Sequence, residues 1–490
     1  MTVSQATDYE GVIGLEIHAE LQTATKMFCR CPVVDLTATP PNTAICEICT
    51  GYPGVLPVIN QRAVEYAIMV GLALNCEIRP YSIFARKNYF YPDLPKGYQI
   101  SQYEYPLAVN GYLMIDLADG RQKRIGIRRA HLEEDTAKNI HLGDGTSLVD
   151  YNRSGIPLLE IVTEPDLRSG EEAEAFGRKL RAILQYLEVN SGDMSKGVLR
   201  MEPNISVRPV GANELRTRTE IKNLNSIRNM SRGTAAEIER QITVYESGGS
   251  VNQETRGWDE HRQKTVLQRV KESADDYRYF PEPDLPVLEV SEEWVDAIAA
   301  KMPELPDAKR SRYLAALQLN EYDAGVLVAD RAIAEFFETA VAAGGDPKTV
   351  ANWITGQIFR LMNKDSLERE EIGSISIQPE QLVALIGLVD RNLINNNTAK
   401  QVVDIMYAEG GDPADIVEAR GLAQESDEAV LQEAIAQALA ANPDEVQRWL
   451  DGEEKVSKFL MGQVMRILKG KADAQQVQTL LNEALENRRA

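Results

Sequence analysis

The chain has 490 residues and a formal net charge of −21, with 43% hydrophobic and 26% charged residues. These proportions are those of an ordinary globular protein, and the length suffices for about two to four domains. The acidic balance argues against broad attraction to nucleic acid, because phosphate contacts need Lys and Arg, but it leaves room for local basic patches.

Membrane and targeting segments are not expected. The sequence contains no run of about 18 apolar residues that would span a bilayer. Its N-terminal stretch has no basic n-region, no apolar h-region and no Arg- and Ser-rich transit character. We therefore expect a cytoplasmic protein without membrane association.

Four of the five cysteines lie close together in the sequence. They form C-x-C and C-x-x-C pairs at Cys29, Cys31, Cys46 and Cys49. In a large cytosolic chain disulfides are not expected, and paired thiolates at this spacing are typical of tetrahedral Zn²⁺, with inert buried thiols as the alternative. Cys76 stands alone in an apolar, helix-like stretch and is interpreted as a core residue.

Asn60 begins a predicted helix, NQRAVEYAIMVGLAL, in which apolar residues recur at helical spacing. Residues 81–102 follow and are dense in aromatic residues, Pro and Gly. Aromatics in such a segment more often belong to a core or a hairpin. Yet Arg86, Lys87, Lys96 and several tyrosines in one loop would suit phosphate and base contacts.

A hairpin is predicted over residues 111–127, with Asp119–Gly120 as its turn. It leads into HLEEDTAK at residues 131–138, at the end of a strand. Strand alternation places Glu133 on the opposite face from Glu134.

The three consecutive acids of HLEEDTAK repel one another unless water, a base or a cation compensates. A solvated acidic turn is the alternative interpretation. However, a second acid–histidine pair, Glu16 and His18 in GLEIH, occupies an apolar, strand-like run. Carboxylates with one imidazole would form an oxygen-rich shell for Mg²⁺ or Mn²⁺, and we expect a divalent-metal site that handles phosphate.

Further predicted strands and helices alternate along the chain up to a Pro-rich boundary near residues 281–292. Strand-like pieces at 146–166 bring Glu160 and Glu164, and Ser169 caps a predicted helix that runs to about residue 189. The remaining predictions are strands at 199–207 and 218–221 and a helix that IKNLNS opens and that runs to about residue 247.

Beyond the boundary almost no strand signal remains. Three predicted helix junctions, GGDPKTVANW, GGDPADIVEA and NPDEVQRW, combine a capping Asp or Asn with a first-turn Pro, and in the first two a Gly can close the preceding helix. We therefore expect an α+β catalytic domain over residues 1–292, with a largely antiparallel sheet. A helical linker over 293–395 and a helical tail over 396–490 would follow.

Two basic runs interrupt the acidic sequence. Residues 121–131 hold six basic residues, and residues 455–471 hold five with few acids. Each would be either a basic patch or a solvated charged face. The P-loop, the dinucleotide-binding GxGxxG and the GxSxG motif are absent, so any use of ATP would depend on carboxylates and metal.

Seven segments together resemble the GatB family, the B subunits of the tRNA-dependent aspartyl/glutamyl amidotransferases. They are GLEIHAELQT, YPGVLPVIN, RKNYFYPDLPKGYQISQ, HLEEDTAK, IPLLEIVTEPD, IKNLNS and DDYRYFPEPDLP. The resemblance extends over essentially the full length. It implies ATP-dependent activation of Glu or Asp mis-attached to tRNA(Gln) or tRNA(Asn), with ammonia from a partner amidase subunit and a small third subunit in the complex.

The resemblance also implies site residues. His18, Glu134 and Glu160 match metal ligands, with Glu16 and Glu133 beside them. The four cysteines match a zinc element, and the basic run at 455–471 would contact the body of the tRNA. Candidate phosphate or carboxylate contacts are Lys87, Lys96, Arg153 and Lys222.

One segment departs from the family pattern. Where many members read EEGSLRCDANIS, this chain has SKGVLRMEPNIS at 195–206, with Glu202 in place of an Asp. Two other functions stay open at this point. A metal-dependent nuclease or phosphodiesterase would use the same carboxylates without ATP or glutamine, and a tRNA-binding scaffold would leave all chemistry to its partner.

Overall fold

The computed structural model describes residues 8–270, 277–424, 428–468 and 471–489. The chain divides into two units, Met1–Pro306 and Asp307–Ala490. Every strand of the described residues lies in the first unit, and the second is helical. The predicted α+β class is therefore confirmed.

The strands of the first unit are short except for β1, β6, β7 and β11. Their bounds are β1 (Tyr9–Glu20), β2 (Glu77–Ile78), β3 (Tyr81–Ser82), β4 (Ala85–Asn88), β5 (Tyr98–Ser101), β6 (Ala108–Asp116), β7 (Gln122–Glu134), β8 (Lys138–His141), β9 (Ser147–Asp150), β10 (Pro157–Thr163), β11 (Leu199–Pro209), β12 (Thr219–Lys222), β13 (Glu254–Asp259), β14 (Lys264–Val270), β15 (Phe280–Pro281) and β16 (Leu288–Glu289).

Nine of these strands form one sheet in the order β14-β13-β12-β11-β1-β10-β7-β6-β2. All neighbouring pairs are antiparallel except β12 and β13, so the expectation of a largely antiparallel sheet is confirmed. Smaller sheets join β15, β4 and β5, β16 with β3, and β8 with β9. β1 thus lies in the middle of the large sheet, between β11 and β10.

Alternation along β1 gives the sheet one apolar face. Ile13, Leu15 and Ile17 are buried in the core of the first unit, together with residues of the three long helices of that unit. These helices are α1 (Gln61–Ala73), α2 (Gly170–Tyr186) and α3 (Ile227–Glu246). The intervening positions of β1, which carry Glu16 and His18, therefore belong to the opposite face.

The predicted starts of these helices are confirmed, because each has a side-chain cap. Asn60 accepts hydrogen bonds from the backbone N–H groups of Arg62 and Ala63. Ser169 caps α2 and Ser226 caps α3 in the same manner. The hairpin of β6 and β7 also has the predicted turn, since Asp116 pairs with Gln122 across it.

The β13–β14 hairpin was not predicted from the sequence. The sequence of β14, KTVLQRV, does not alternate apolar and polar residues, and its last four residues are all exposed. It forms one edge of the large sheet, where tertiary pairing decides the structure.

From residue 292 onwards the described elements are helical. The helices are α4 (Glu292–Ala299), α5 (Pro306–Ala316), α6 (Glu321–Val328), α7 (Arg331–Ala342), α8 (Pro347–Trp353), α9 (Phe359–Lys364), α10 (Pro379–Asp390), α11 (Asn396–Glu409), α12 (Pro413–Ala419), α13 (Glu428–Ala441), α14 (Pro443–Leu450), α15 (Ser457–Ile467) and α16 (Ala474–Arg489). A π-helical turn, Ile354–Ile358, joins α8 to α9.

Two of the three predicted junctions have the expected capping chemistry. Asp346 accepts from the N–H of Thr349, and Asp412 accepts from that of Ala414, each before a Pro in the first turn. The third prediction is wrong in part. Asn442 precedes Pro443, but its side chain donates to the carbonyl of Ala438 in the preceding helix instead of capping α14.

The helical unit contains two hydrophobic clusters. One draws its buried residues from positions 313–417 and the other from positions 431–485. The unit boundary at 306/307 follows α4, whose Ile298 is buried in the core of the first unit. The division into 1–292, 293–395 and 396–490 stays a proposal. α11 packs with the helices that precede it, through Val402, Val403 and Met406.

Candidate functional site

Strand register gathers the predicted site residues on the polar face of the large sheet. His18 on β1 pairs with Glu160 on β10, and Glu160 pairs with His131 on β7. Cross-strand partners point to the same face, so these three residues form a row. Glu133 lies two residues beyond His131 on β7 and shares that face.

His18 is the centre of a compact acidic cluster. Its Nε2 atom lies 3.4 Å from Glu133 Oε1 and 3.4 Å from Glu160 Oε2. One ligand atom from each of the three residues lies within 4.8 Å of the others, and both carboxylates are buried. Two carboxylates and an imidazole at this spacing are suitable ligands for a divalent cation.

The electrostatics of the cluster favour charged side chains. Burial lowers the pKa of His18, but hydrogen bonds with Glu133 and Glu160 outweigh it and raise the pKa to about 10. Burial likewise disfavours the charged form of Glu160, yet the imidazoles of His131 and His18 hold its pKa well below the usual range. The imidazolium of His18 thus compensates for part of the negative charge of the two carboxylates.

Glu16 and Glu202 extend the cluster along the sheet. Glu16 on β1 pairs directly with Glu202 on β11, and its Oε1 lies 4.0 Å from His18 Nε2. Glu16, His18 and Glu202 form a second group with ligand atoms within 4.8 Å of one another. The acid of the departing segment therefore belongs to the site. Burial, followed by the charge of Glu160, raises the pKa of Glu16.

Glu134 lies apart from this cluster. Its carboxylate forms an ion pair with Lys96 and accepts a hydrogen bond from the backbone N–H of Ile100 at 3.0 Å. Among the described residues, no group of side chains spaced to hold a metal ion includes Glu134. The structure thus gathers His18 and Glu160 with Glu133, whereas the sequence resemblance grouped them with Glu134.

Lys87 also interacts electrostatically with the cluster. Burial lowers its pKa, but the charge of Glu133 and then that of Tyr279 raise it above the usual value. Its Nζ lies 4.9 Å from the ring centre of Tyr277. Tyr103 stacks on Tyr279 with ring centres 4.0 Å apart. The aromatic segment thus places one half-buried ammonium beside the acidic site.

The other two predicted cations have protein partners. Lys222 pairs with Glu202 at 2.8 Å and with Glu220 at 3.3 Å, at the edge of the second group. Arg153 donates to the carbonyl oxygens of Thr136 and Ala137 and therefore fixes the chain just beyond HLEED.

Sequence reasoning missed two arginines at this site. Arg200, which pairs with His18 across β1 and β11, donates to Asp135 at 2.9 Å. Arg129 lies 3.4 Å from Glu160. Both residues are separated in sequence from their partners, and only the strand register would have indicated the contacts. His131 Nδ1 and Arg129 Nε are buried without a hydrogen-bond partner among the described residues. Each atom can therefore form a hydrogen bond with a ligand.

The four-cysteine cluster, comprising Cys29, Cys31, Cys46 and Cys49, is also brought together. One sulfur from each lies within 4.8 Å of the others, and the sulfurs of Cys46 and Cys49 are 3.9 Å apart. Zn–S bonds of about 2.3 Å give a tetrahedron with sulfur–sulfur edges of about 3.8 Å, so the donor set fits Zn²⁺. Cys76 is buried in the core, as predicted.

The basic run at 121–131 consists mostly of paired residues. Lys123 contacts Glu172, Arg128 contacts Glu164 and Arg129 contacts Glu160. The interpretation as a free basic patch is therefore wrong for this run, because most of its basic side chains form ion pairs with neighbouring carboxylates. In the run at 455–471, Lys455, Lys458 and Arg466 are exposed, and Lys469 lies outside the described residues.

None of the described helices combines the length and the apolar character needed to cross a bilayer.

Comparisons with known proteins agree with these features. The GatB/GatE catalytic domain matches residues 11–296, and the GatB domain matches residues 335–485. A protein of Caldicellulosiruptor bescii, described as the B subunit of an aspartyl/glutamyl-tRNA(Asn/Gln) amidotransferase, is 53% identical over 480 residues, which cover 98% of this chain and 99% of its own.

Two further relatives carry the same description. The protein of Caldicellulosiruptor saccharolyticus is 54% identical over 480 residues, and that of Thermodesulfovibrio yellowstonii is 52% identical over 478 residues. In both cases the match covers 98% of this chain and 99% of the relative. With two domain matches and full-length identity near one half, the chain belongs to the GatB family, the B subunits of aspartyl/glutamyl-tRNA(Asn/Gln) amidotransferases.

Proposed function

We propose that this chain uses ATP and Mg²⁺ or Mn²⁺ to activate the side-chain carboxylate of Glu or Asp mis-attached to tRNA(Gln) or tRNA(Asn). The carboxylate oxygen attacks the γ-phosphorus of ATP, and ADP leaves. Ammonia then attacks the acyl carbon of the resulting acyl phosphate, and phosphate leaves as the amide forms. The names of the relatives, which specify an amidotransferase for these tRNAs, support this assignment.

The observation that carries the proposal is the cluster of His18, Glu133 and Glu160. Attack of a carboxylate on a γ-phosphate brings two anions together, so the reaction needs positive charge at the site. A bound divalent ion would neutralise the phosphate oxygens. His18 and Glu160 would hold that ion with a further carboxylate, and Lys87 beside them would bind the substrate anion.

The third carboxylate is either Glu133 or Glu134. The resemblance of HLEEDTAK to the family pattern favours Glu134, whereas the distances to His18 favour Glu133. Glu16 and Glu202 lie beside this set and would act on the same ion or on a neighbouring water. Lys96, Arg153 and Lys222 would act chiefly by holding Glu134, the HLEED segment and Glu202 in place.

The test uses the chain with its amidase partner, mis-acylated tRNA and ATP labelled at the γ-phosphate. We expect Glu133→Ala and Glu134→Ala to lower both phosphate release and amide formation, with glutamine hydrolysis and tRNA binding retained. Glu214→Ala, which changes an exposed carboxylate, serves as the matched control. Wild-type amidation rates in both site variants would leave the cluster with a structural role and favour a scaffold function.

A metal-dependent nuclease or phosphodiesterase is the other alternative. It would require the metal but neither ATP nor glutamine, and the names of the relatives give it no support. Incubation of the chain with metal and tRNA, without ATP, would reveal cleavage products if this alternative held.

Partners, localisation and zinc belong to the same proposal. The chain would act in the cytoplasm in a complex with an amidase subunit and a small third subunit.

The four-cysteine cluster would bind a structural Zn²⁺ ion, which its sulfur spacing supports. The helical tail would contact the body of the tRNA through the exposed bases of the run at 455–471.

A further inference from the structure

A buried lysine lies against the four-cysteine cluster. Lys26 is 0% exposed, and its Nζ lies 3.6 Å from Cys49 Sγ and 3.2 Å from the carbonyl oxygen of Tyr151. A buried ammonium is costly unless an anion and hydrogen-bond acceptors replace its lost hydration. Of these two partners, only the sulfur can carry a negative charge.

The backbone and the stem of Lys26 are held by their own contacts. The Lys26 N–H donates to the carbonyl of Cys31 at 2.9 Å, and the Met27 N–H donates to that of Gly155 at 2.7 Å. A Cβ atom on Gly155, where φ is +84°, would lie 3.5 Å from Cys49 Cβ and 3.6 Å from Lys26 Cδ. The stem of Lys26 is therefore packed between the cysteine loop and the segment that precedes β10.

We propose that Lys26 is a fixed counter-ion of the four-cysteine cluster and retains Zn²⁺ there by compensating for the charge of the thiolates. The inference rests on the proposed zinc occupancy. Four thiolates around one Zn²⁺ leave a formal charge of about −2, and an ammonium at hydrogen-bond distance halves it. Because Cys49 and Lys26 are both buried, water screens this attraction little.

Zinc retention tests the proposal directly. The full-length protein is purified with its partner subunits, its zinc is quantified by mass spectrometry, and transfer of zinc to a colorimetric chelator is followed in time. We expect Lys26→Met, which keeps most of the stem and removes the charge, to release zinc about tenfold faster or more. Lys26→Arg should keep most of the retention, and exposed Lys196→Met should behave as wild type.

A cycle of variants separates the counter-ion role from a purely structural one. Thermal unfolding midpoints are compared for wild type, Lys26→Met, Cys49→Ala and the double variant. We expect Lys26→Met to lower the midpoint by several degrees in the wild-type background and to have no destabilising effect once Cys49 is Ala. A lysine that only bound the Tyr151 carbonyl would cause the same loss in both backgrounds.

The outcomes assign failure to one proposal or the other. A wild-type protein that contains no zinc and binds none would overturn both the zinc proposal and the role of Lys26. Zinc bound by the wild type and released at the same rate by Lys26→Met would overturn the counter-ion role alone. So would an equal loss of stability in the two backgrounds.

Discussion

At the scale of single residues, the site depends on which carboxylates meet His18. Glu133 and Glu134 are adjacent, yet one contacts His18 and the other is engaged by Lys96. Alternation along β7 predicted that they would face opposite ways, and the structure agrees. The two side chains are therefore expected to differ in function, although they are identical in chemistry.

We predict that Glu133→Gln weakens Mn²⁺ binding more than Glu134→Gln does. In Glu133→Gln the amide removes a negative charge from the cluster, and we expect the affinity for Mn²⁺ to decrease about tenfold or more. In the second case the lost charge was already compensated by Lys96. Titration followed by the electron paramagnetic resonance of free Mn²⁺ measures both affinities. The reverse order would assign the metal position to Glu134.

At the scale of elements, α3 is joined to the edge of the sheet by a buried charge network. Glu237 on α3 is 0% exposed and accepts hydrogen bonds from Arg240, Gln241 and Thr265. Its Oε2 also lies 3.5 Å from Arg256 on β13. The network thus links α3 to the β13–β14 hairpin. Burial alone would raise the pKa of Glu237, but these partners lower it below the usual value.

We predict a pH-dependent loss of stability for Glu237→Gln. A carboxyl with a lowered pKa in the folded state stabilises the protein above its unfolded-state pKa, and this contribution disappears as the pH falls through the folded-state pKa. The variant should lose about 1–3 kcal/mol at pH 7, with a smaller difference below about pH 4.5.

Urea unfolding at several pH values, followed by tryptophan fluorescence, measures the difference between the two proteins. Glu239→Gln on the exposed side of α3 is the matched control and should change stability little at any pH. A difference for Glu237→Gln that stayed constant down to about pH 3 would contradict the assigned ion pairs.

At the scale of the whole molecule, the two units differ in chemistry. The first contains the acidic cluster and the four-cysteine cluster, while the second contains only helices among its described residues. With a net charge of −21 the protein would need a local basic surface to bind tRNA as proposed. The exposed basic residues of the run at 455–471 are the proposed tRNA-binding surface. Most basic residues of the run at 121–131 already form ion pairs with carboxylates on neighbouring elements.

We predict that replacing Lys455, Lys458 and Arg466 together by Gln weakens tRNA binding. The slope of the logarithm of the binding constant against the logarithm of the salt concentration is negative, and its magnitude should decrease by up to about 2–3 for the loss of three phosphate contacts. Filter binding at several KCl concentrations measures this slope.

A matched control replaces three other lysines of the helical unit, Lys348, Lys364 and Lys400, by Gln. It should leave the slope close to that of the wild type. An unchanged slope in the first triple variant would exclude the run at 455–471 as the tRNA contact.

Much of the fold could be predicted from sequence because its signals are local. Apolar spacing with the start at Asn60, the cap Ser169 and the segment IKNLNS predicted the first three helices, and Asp119–Gly120 predicted the β6–β7 turn. The motifs likewise predicted the family, which the full-length relatives confirm. Each of these features depends on residues close together in the chain, so a linear pattern contains the information.

The contacts between distant segments were decided only by tertiary structure. Glu202 lies opposite Glu16 and Arg200 lies opposite His18 because β11 pairs with β1 in one register, and a shift of one residue would move every side chain to the other face. The same holds for the ammonium of Lys96 at Glu134. Alternation predicts the face on which a side chain lies, but strand pairing selects its neighbours, and those neighbours set the charge of the site.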